Sequence, residues 1–239
     1  MINLAQVKSK CRRDDADKNN RVHWFASKFS IYFSWFFINL GLSADFVTAI
    51  FFGVGILGVC AWLIGGFWGA ILCYACWRLH IIIDMSDGDV ARFNRTYSHR
   101  GKYWDSMIHS VLNPFYSAVF PLAAFLKTGD VEFLILVTLL MFSQSILLAS
   151  KYNFPQNALN KPQPNLHNRK PTPSARIMNI ASEIVGMEGF ILASILSSFI
   201  NDNINQKIVF LAFAMANLGV AAIKFYQLSY FQRTYSKLH

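Results

Sequence analysis

Charge is what this sequence lacks. Only 15% of its 239 residues are Asp, Glu, Lys or Arg, against 54% hydrophobic. Acids are the scarcer sign, 13 against 22 bases, which leaves a formal net charge of +9. The windows 46–77, 106–126, 133–150 and 208–223 contain no charged residue. A spanning helix needs about 20 mostly apolar residues, so the composition excludes an ordinary soluble domain and argues for a polytopic membrane protein. There are only four cysteines. Cys73 and Cys76 form a C-x-x-C, but inside an apolar run, where thiols are core residues rather than redox centres or metal ligands. Internal repeats are absent, and the polar first 20 residues carry no signal peptide.

The 46–77 run is too long for one crossing, and Gly65-Gly66 in its middle reads as a turn between two spans. The sequence predicts an all-α fold with six transmembrane helices near 46–64, 67–91, 103–126, 131–150, 176–199 and 205–227. An N-terminal interfacial amphipathic helix precedes them within the aromatic-rich stretch 22–44, with Trp24, Tyr32 and Trp35 at headgroup level. Residues 1–44 then form a cytoplasmic tail and interfacial helix, and 45–239 form the transmembrane domain. Residues 151–175, with five prolines, read as a loop. The segments 1–28, 92–102, 151–176 and 224–239 hold 7, 4, 5 and 3 basic residues, nineteen of the 22. An even number of spans places all four on one side, which the positive-inside rule makes cytoplasmic. The positive charge thus lies beside a lipid bilayer and is no nucleic-acid footprint.

Against this scarcity, residues 84–109, DMSDGDVARFNRTYSHRGKYWDSMIH, are conspicuous. On a helix continuing the second span, Asp84, Asp87, Gly88 and Ala91 fall at i, i+3, i+4 and i+7, on one face. Asp105 and His109 are i, i+4 neighbours on the next helix. A hairpin of the two helices can point three carboxylates and an imidazole into one space. Clustered carboxylates at membrane depth are costly unless a cation sits among them, and oxygen ligation suits Mg²⁺, Mn²⁺ or Ca²⁺. Gly88 and Ala91 leave room for a flat ligand against the backbone. Arg92, Arg95 and Arg100 supply charge for phosphates. These features together point to phosphoryl chemistry on a lipid or activated alcohol. Three other readings stand beside it: structural acid–base pairs, an ion-handling protein that uses the acids as a cation site, and a nucleotide-binding membrane protein without activity.

The stretch resembles the signature of the CDP-alcohol phosphotransferases, D-x2-D-G-x2-A-R-x8-G-x3-D-x3-D. Asp84, Asp87, Gly88, Ala91, Arg92, Gly101 and Asp105 match it in identity and spacing. The resemblance implies an enzyme in which divalent metal ions, Mg²⁺ or Mn²⁺, hold the diphosphate of a CDP-activated substrate near the cytoplasmic face. For a bacterial cell that face belongs to the inner membrane. An alcohol attacks the phosphate distal to cytidine, and CMP leaves. It further implies metal ligation by Asp84, Asp87 and Asp105, nucleotide contacts from Asp84, Gly88, Ala91, Arg92 and Gly101, and a homodimer. The donor is CDP-diacylglycerol, or else a CDP-linked polar headgroup destined for a lipid or glycan acceptor.

The final aspartate of the signature, a metal ligand and general base, is His109 here. Imidazole has a reference pKa of about 6.5 against about 3.9 for aspartate, so His109 can serve as base near neutral pH, and it can also ligate metal. The alternative is a lost or altered activity. Arg95, Arg176 and Glu183 are candidates for phosphate or acceptor contact; Glu183 has the second option of pairing with Arg78, and Arg176 of snorkelling at the interface. His80 reads as packing, and Asp89, off the acidic stripe, as facing solvent.

Overall fold

The computed structural model describes residues 2–11, 24–96, 99–152, 186–200 and 203–235. Eight helices account for nearly all of these, and no strand occurs among the described residues: α1 Leu4–Cys11, α2 Trp24–Asn39, α3 Ala44–Ile64, α4 Gly66–Asn94, α5 His99–Thr128, α6 Glu132–Tyr152, α7 Met187–Ile200 and α8 Asn203–Tyr235. Four helices are long and apolar enough to cross a membrane, over Ala44–Ile64, Gly66–Asn94, Glu132–Ser150 and Asn203–Tyr226. The predicted span 103–126 lies in α5, which is not one of the four. That helix carries Asp105, His109, Asn113 and two internal prolines, Pro114 and Pro121, within its length. Of the predicted span 176–199, only residues from 186 onward are described, as the shorter apolar helix α7.

The chain divides into two compact units, one containing 1–112 and the other containing 113–169 and 185–239. The division falls within α5, between Leu112 and Asn113, one residue ahead of Pro114, whose missing N–H interrupts the helical ladder. In the second unit an aromatic cluster forms the core: Phe190 stacks on Phe213 with centroids 4.1 Å apart and meets Phe120 edge-on at 5.5 Å.

The first unit is built on α4. The short N-terminal helix α1 opens with a capping box, in which Asn3 Oδ1 accepts from the Ala5 N–H and Gln6 Oε1 from the Asn3 N–H. Its Val7 and Cys11 are fully buried. The start of α1 is tied to the end of α2, because Trp35 Nε1 donates to the Ile2 carbonyl (2.7 Å) and the Ile2 N–H to Asn39 Oδ1 (2.8 Å). In the second helix Ser30 and Ser34 are buried, whereas Phe29, Tyr32 and Phe36, with Leu40 just past its end, form an exposed apolar stripe. Ser43 caps α3, accepting from the Phe46 N–H. Between α3 and α4, Gly65 and Gly66 adopt φ of +76° and +65°, the left-handed region glycine enters without a steric cost. The expected turn therefore stands where the sequence placed it. Gly55 marks a close approach within this unit: a Cβ there would stand 2.4 Å from Leu112 Cδ1 and 3.2 Å from His80 Nδ1.

Candidate active site

The fourth helix ends just past the acidic stretch. Arg95 takes a left-handed conformation (φ 55°), its N–H returning toward the Arg92 carbonyl while the Thr96 N–H reaches that of Ala91. This closes the helix as a Schellman motif in spite of a side chain that costs about 1–2 kcal/mol in that region. The next helix, α5, begins at His99. Two carboxylates near the C-terminal end of α4 thus come to face a carboxylate and an imidazole near the N-terminal end of α5.

Three of the four meet. His109 Nε2 lies 3.4 Å from Asp84 Oδ1 and 3.3 Å from Asp105 Oδ1. One ligand atom from each of Asp84, Asp105 and His109 falls within 4.8 Å of the others. Neighbouring ligands of an octahedral ion about 2.1 Å away stand roughly 3 Å apart, so this spacing fits a small divalent cation. The two carboxylate oxygens are donors that suit Mg²⁺ or Mn²⁺, whereas the imidazole nitrogen is a softer donor that Mg²⁺ seldom takes. Asp84 and His109 are three-quarters buried and Asp105 is more open, as befits a site reached from one side.

Asp87 stands outside that trio and has its own support. Its Oδ2 accepts a hydrogen bond of 2.8 Å from Thr48 Oγ1 on α3, a hydroxyl that also lies 3.0 Å from the Ala44 carbonyl. Behind His109 is a wall of rings. His80 meets it edge-on at 5.8 Å, and Phe51 lies tilted against it at 6.1 Å. His80 is fully buried, with Nδ1 3.0 Å from the Phe51 carbonyl. That contact requires Nδ1 to carry the proton, so His80 acts as packing behind the site.

Gly88 has its expected open face, closed on one side by Arg92. A Cβ at 88 would meet Arg92 Nη1 and Nη2 at 3.4 and 3.5 Å. Arg92 is itself held, with Nε donating to the Cys11 carbonyl (2.8 Å) and Nη2 to Asp89 Oδ1 (2.6 Å). Asp89 is thereby a correction to the sequence reading. It is only 7% exposed rather than solvated, because Ser34 Oγ of α2 lies 2.9 Å from its other oxygen. Covering by α1 and α2, which a helical wheel of α4 alone does not show, buries it. Ala91 is buried, Gly101 lies in the first turn of α5, and Arg95 is an exposed helix terminus. Arg176 and Glu183 lie outside the described residues.

The residues the sequence did not flag are Thr48 and Ser34. Thr48 sits in an uncharged 32-residue run (46–77) and Ser34 among aromatics. A lone hydroxyl there carries no periodic or charge signal, and its partner is set by tertiary packing.

No curated protein matches the chain. The family model described as CDP-alcohol phosphatidyltransferase matches residues 41–200, well over half of the 239 and all of the α4–α5 site. A motif spaced for metal and nucleotide, a metal-sized Asp-Asp-His cluster on the helices that carry it, and this match agree: the chain belongs to the CDP-alcohol phosphatidyltransferase family, membrane transferases that move substituted phosphate groups from a CDP-alcohol to an acceptor.

Proposed function

We propose that this protein transfers a phosphatidyl group from CDP-diacylglycerol to a hydroxyl acceptor at the cytoplasmic face of the membrane, releasing CMP. The observation that carries the reading is the convergence of Asp84, Asp105 and His109 to within 4.8 Å beside the side-chain-free face at Gly88. An apolar cavity of about 350 Å³ supports a lipid-linked donor over a small polar one. Its lining includes Phe52, Trp104, Met107, Ile108 and Val111 together with the charged Asp45 and Arg100, and Thr48, the hydrogen-bond partner of Asp87, borders it as well.

In this reading Asp84, Asp87 and Asp105 hold Mg²⁺ or Mn²⁺, with His109 beside them. Asp87 offers Oδ1, since Oδ2 is engaged by Thr48. When bound, the metal supplies charge neutralisation at the diphosphate, as in other phosphoryl transfers. Gly88 and Ala91 seat the cytidine nucleotide, Gly101 walls it, and Arg92 faces its phosphates. His109 Nε2 accepts the proton of the acceptor hydroxyl. The acceptor oxygen forms a bond to the phosphorus distal to cytidine, and the bond from that phosphorus to the bridging oxygen breaks. The electron pair departs with CMP. Arg95, Arg176 and Glu183 are assigned to the acceptor or its phosphate, and the working unit is a homodimer.

The test is CMP release from CDP-diacylglycerol and from CDP-linked polar headgroups, by purified protein with Mg²⁺ or Mn²⁺ and a panel of alcohols. Release should require the metal and vanish in Asp87→Asn, while that variant remains folded and membrane-inserted. Turnover that survives a chelator, or Asp87→Asn at the wild-type rate, refutes the metal assignment. Turnover confined to the polar CDP-alcohols refutes the choice of donor.

A further inference from the structure

Asp89 belongs to no position of the family signature, yet three helices converge on it. It follows Gly88 on α4. Its Oδ2 faces the Ser34 hydroxyl of α2 (2.9 Å), and its Oδ1 accepts from Arg92 Nη2 (2.6 Å). Arg92 Nε in turn donates to the carbonyl of Cys11, the last residue of α1 (2.8 Å). Carbonyls in the last turn of a helix carry partial negative charge, and the guanidinium satisfies the one at Cys11. The guanidinium is gripped along two of its sides. Its Nη1 is the atom nearest the space over Gly88, 3.4 Å from where a Cβ would be.

An unanchored arginine has many rotamers, and ordering it upon ligand binding weakens affinity. Here the ordering is done by the fold. We propose that Asp89 is a positioning residue for nucleotide binding. It holds the Arg92 guanidinium along Gly88, with the Cys11 carbonyl completing the grip and Ser34 steadying the carboxylate, so that the Nη1 side meets the phosphates of a cytidine nucleotide. The inference rests on the proposed role of Arg92. It adds that α1 and α2 act on the nucleotide site through one buried carboxylate.

The test uses the purified full-length chain with CDP and Mg²⁺, measuring both the dissociation constant for CDP and the melting temperature of the ligand-free protein. Asp89→Asn should weaken CDP by about 3- to 10-fold, the effect of leaving one rotamer-rich side chain to be ordered by the ligand. The loss should disappear when Asp89→Asn is made in an Arg92→Ala background, because residues acting through one another are not additive. A merely structural Asp89 lowers the melting temperature equally in both backgrounds and leaves CDP affinity alone, and that result overturns the inference. So does an equal loss of affinity in both backgrounds. If Asp89→Asn does not yield folded protein, Ser34→Ala should show the same pattern at about 2- to 3-fold, and unchanged CDP affinity in that variant overturns the inference in turn. If Arg92→Ala alone binds CDP as the wild type does, the nucleotide role of Arg92 fails, and the positioning role with it. That outcome is distinct from failure of Asp89 by itself.

Discussion

Thr48→Val removes one hydroxyl and almost no volume. In the structure that hydroxyl is 2.8 Å from Asp87 Oδ2 and 3.0 Å from the Ala44 carbonyl. Its single proton goes preferentially to the carboxylate, the stronger acceptor. Hydrogen bonds to charged groups contribute about 1.5–3 kcal/mol. Sharing with Ala44 places this one at the lower end, about 1.5–2 kcal/mol, or roughly 10- to 30-fold in a binding constant. Residues that orient metal ligands commonly tune metal affinity by about 10- to 100-fold, so the two figures agree. The assay is CMP release titrated with Mg²⁺ at saturating CDP-alcohol. The half-activating Mg²⁺ concentration should rise about 10- to 30-fold, with the maximal rate at high metal mostly recovered. Valine preserves the packing of Thr48, which is buried against α4, so the melting temperature should move little. An unchanged half-activating concentration refutes the reasoning, since Asp87 then either needs no orienting or holds no metal. A fall in maximal rate without any change in metal requirement refutes it as well.

Other outcomes follow from the same geometry. His109→Ala should lose roughly 10²–10⁴-fold in rate, together with the limb of the pH profile along which activity rises as imidazole becomes neutral, and His109→Asp should recover part of the loss. Wild-type turnover in His109→Ala, with the same profile, removes the base assignment. Gly88→Leu should abolish CDP binding in a thermal-shift assay with little loss of stability, because the atoms nearest that face belong to the Arg92 guanidinium, the end of a flexible side chain; normal CDP binding would reassign that face to helix packing. Burial, reinforced by the nearby Asp89 charge and opposed by Arg92 and Lys10, pushes the Cys11 thiol from an ordinary 9.0 up to about 11. The fold therefore favours the neutral thiol; this stabilisation is complete below pH 9 and is lost as pH rises through about 11. With Cys60, Cys73 and Cys76 replaced by alanine, alkylation of Cys11 at pH 8 should run at least about 100-fold slower in the folded protein than in the unfolded one. Equal rates would show that α1 is not docked in solution.

The sequence made legible those features that repeat or that violate a strong rule. Helices α3, α4, α6 and α8 followed from uncharged runs, the α3–α4 turn from Gly65-Gly66, and the Asp84–Asp105–His109 cluster from acids placed where acids are expensive. What escaped was set by packing between elements. The first helix was read as a polar tail, although Asn3 and Gln6 form a capping box and Leu4, Val7 and Cys11 share a face; a single short turn of that pattern is too weak a signal against the charge around it. Asp89 was assigned to solvent because α4, taken alone, turns it off the acidic stripe. Ser34 reaches it across 55 residues, and Thr48 reaches Asp87 across 39. No periodicity in one helix reports on a hydroxyl supplied by another.

Exchange of the last signature aspartate for His109 has a consequence in valence. A carboxylate has two oxygens, so it can ligate an ion with one and accept a proton with the other. An imidazole facing the site with Nε2 presents a single lone pair there, and here that nitrogen already lies between Asp84 and Asp105 at 3.4 and 3.3 Å. A lone pair kept for the acceptor's proton cannot also be given to an ion. On the proposed reading, then, ligation in this chain falls more heavily on the three aspartates than it does where a fourth carboxylate completes the set. Asp87 becomes the ligand whose orientation matters most, as the one that α3 holds in place through Thr48. The histidine and the threonine are therefore coupled. Restoring the carboxylate with His109→Asp should reduce the metal penalty of Thr48→Val, since a fourth acid then shares the ion. An undiminished penalty in the double variant would show that a carboxylate at 109 does not share the ion, and that the exchange for histidine places no added weight on Asp87.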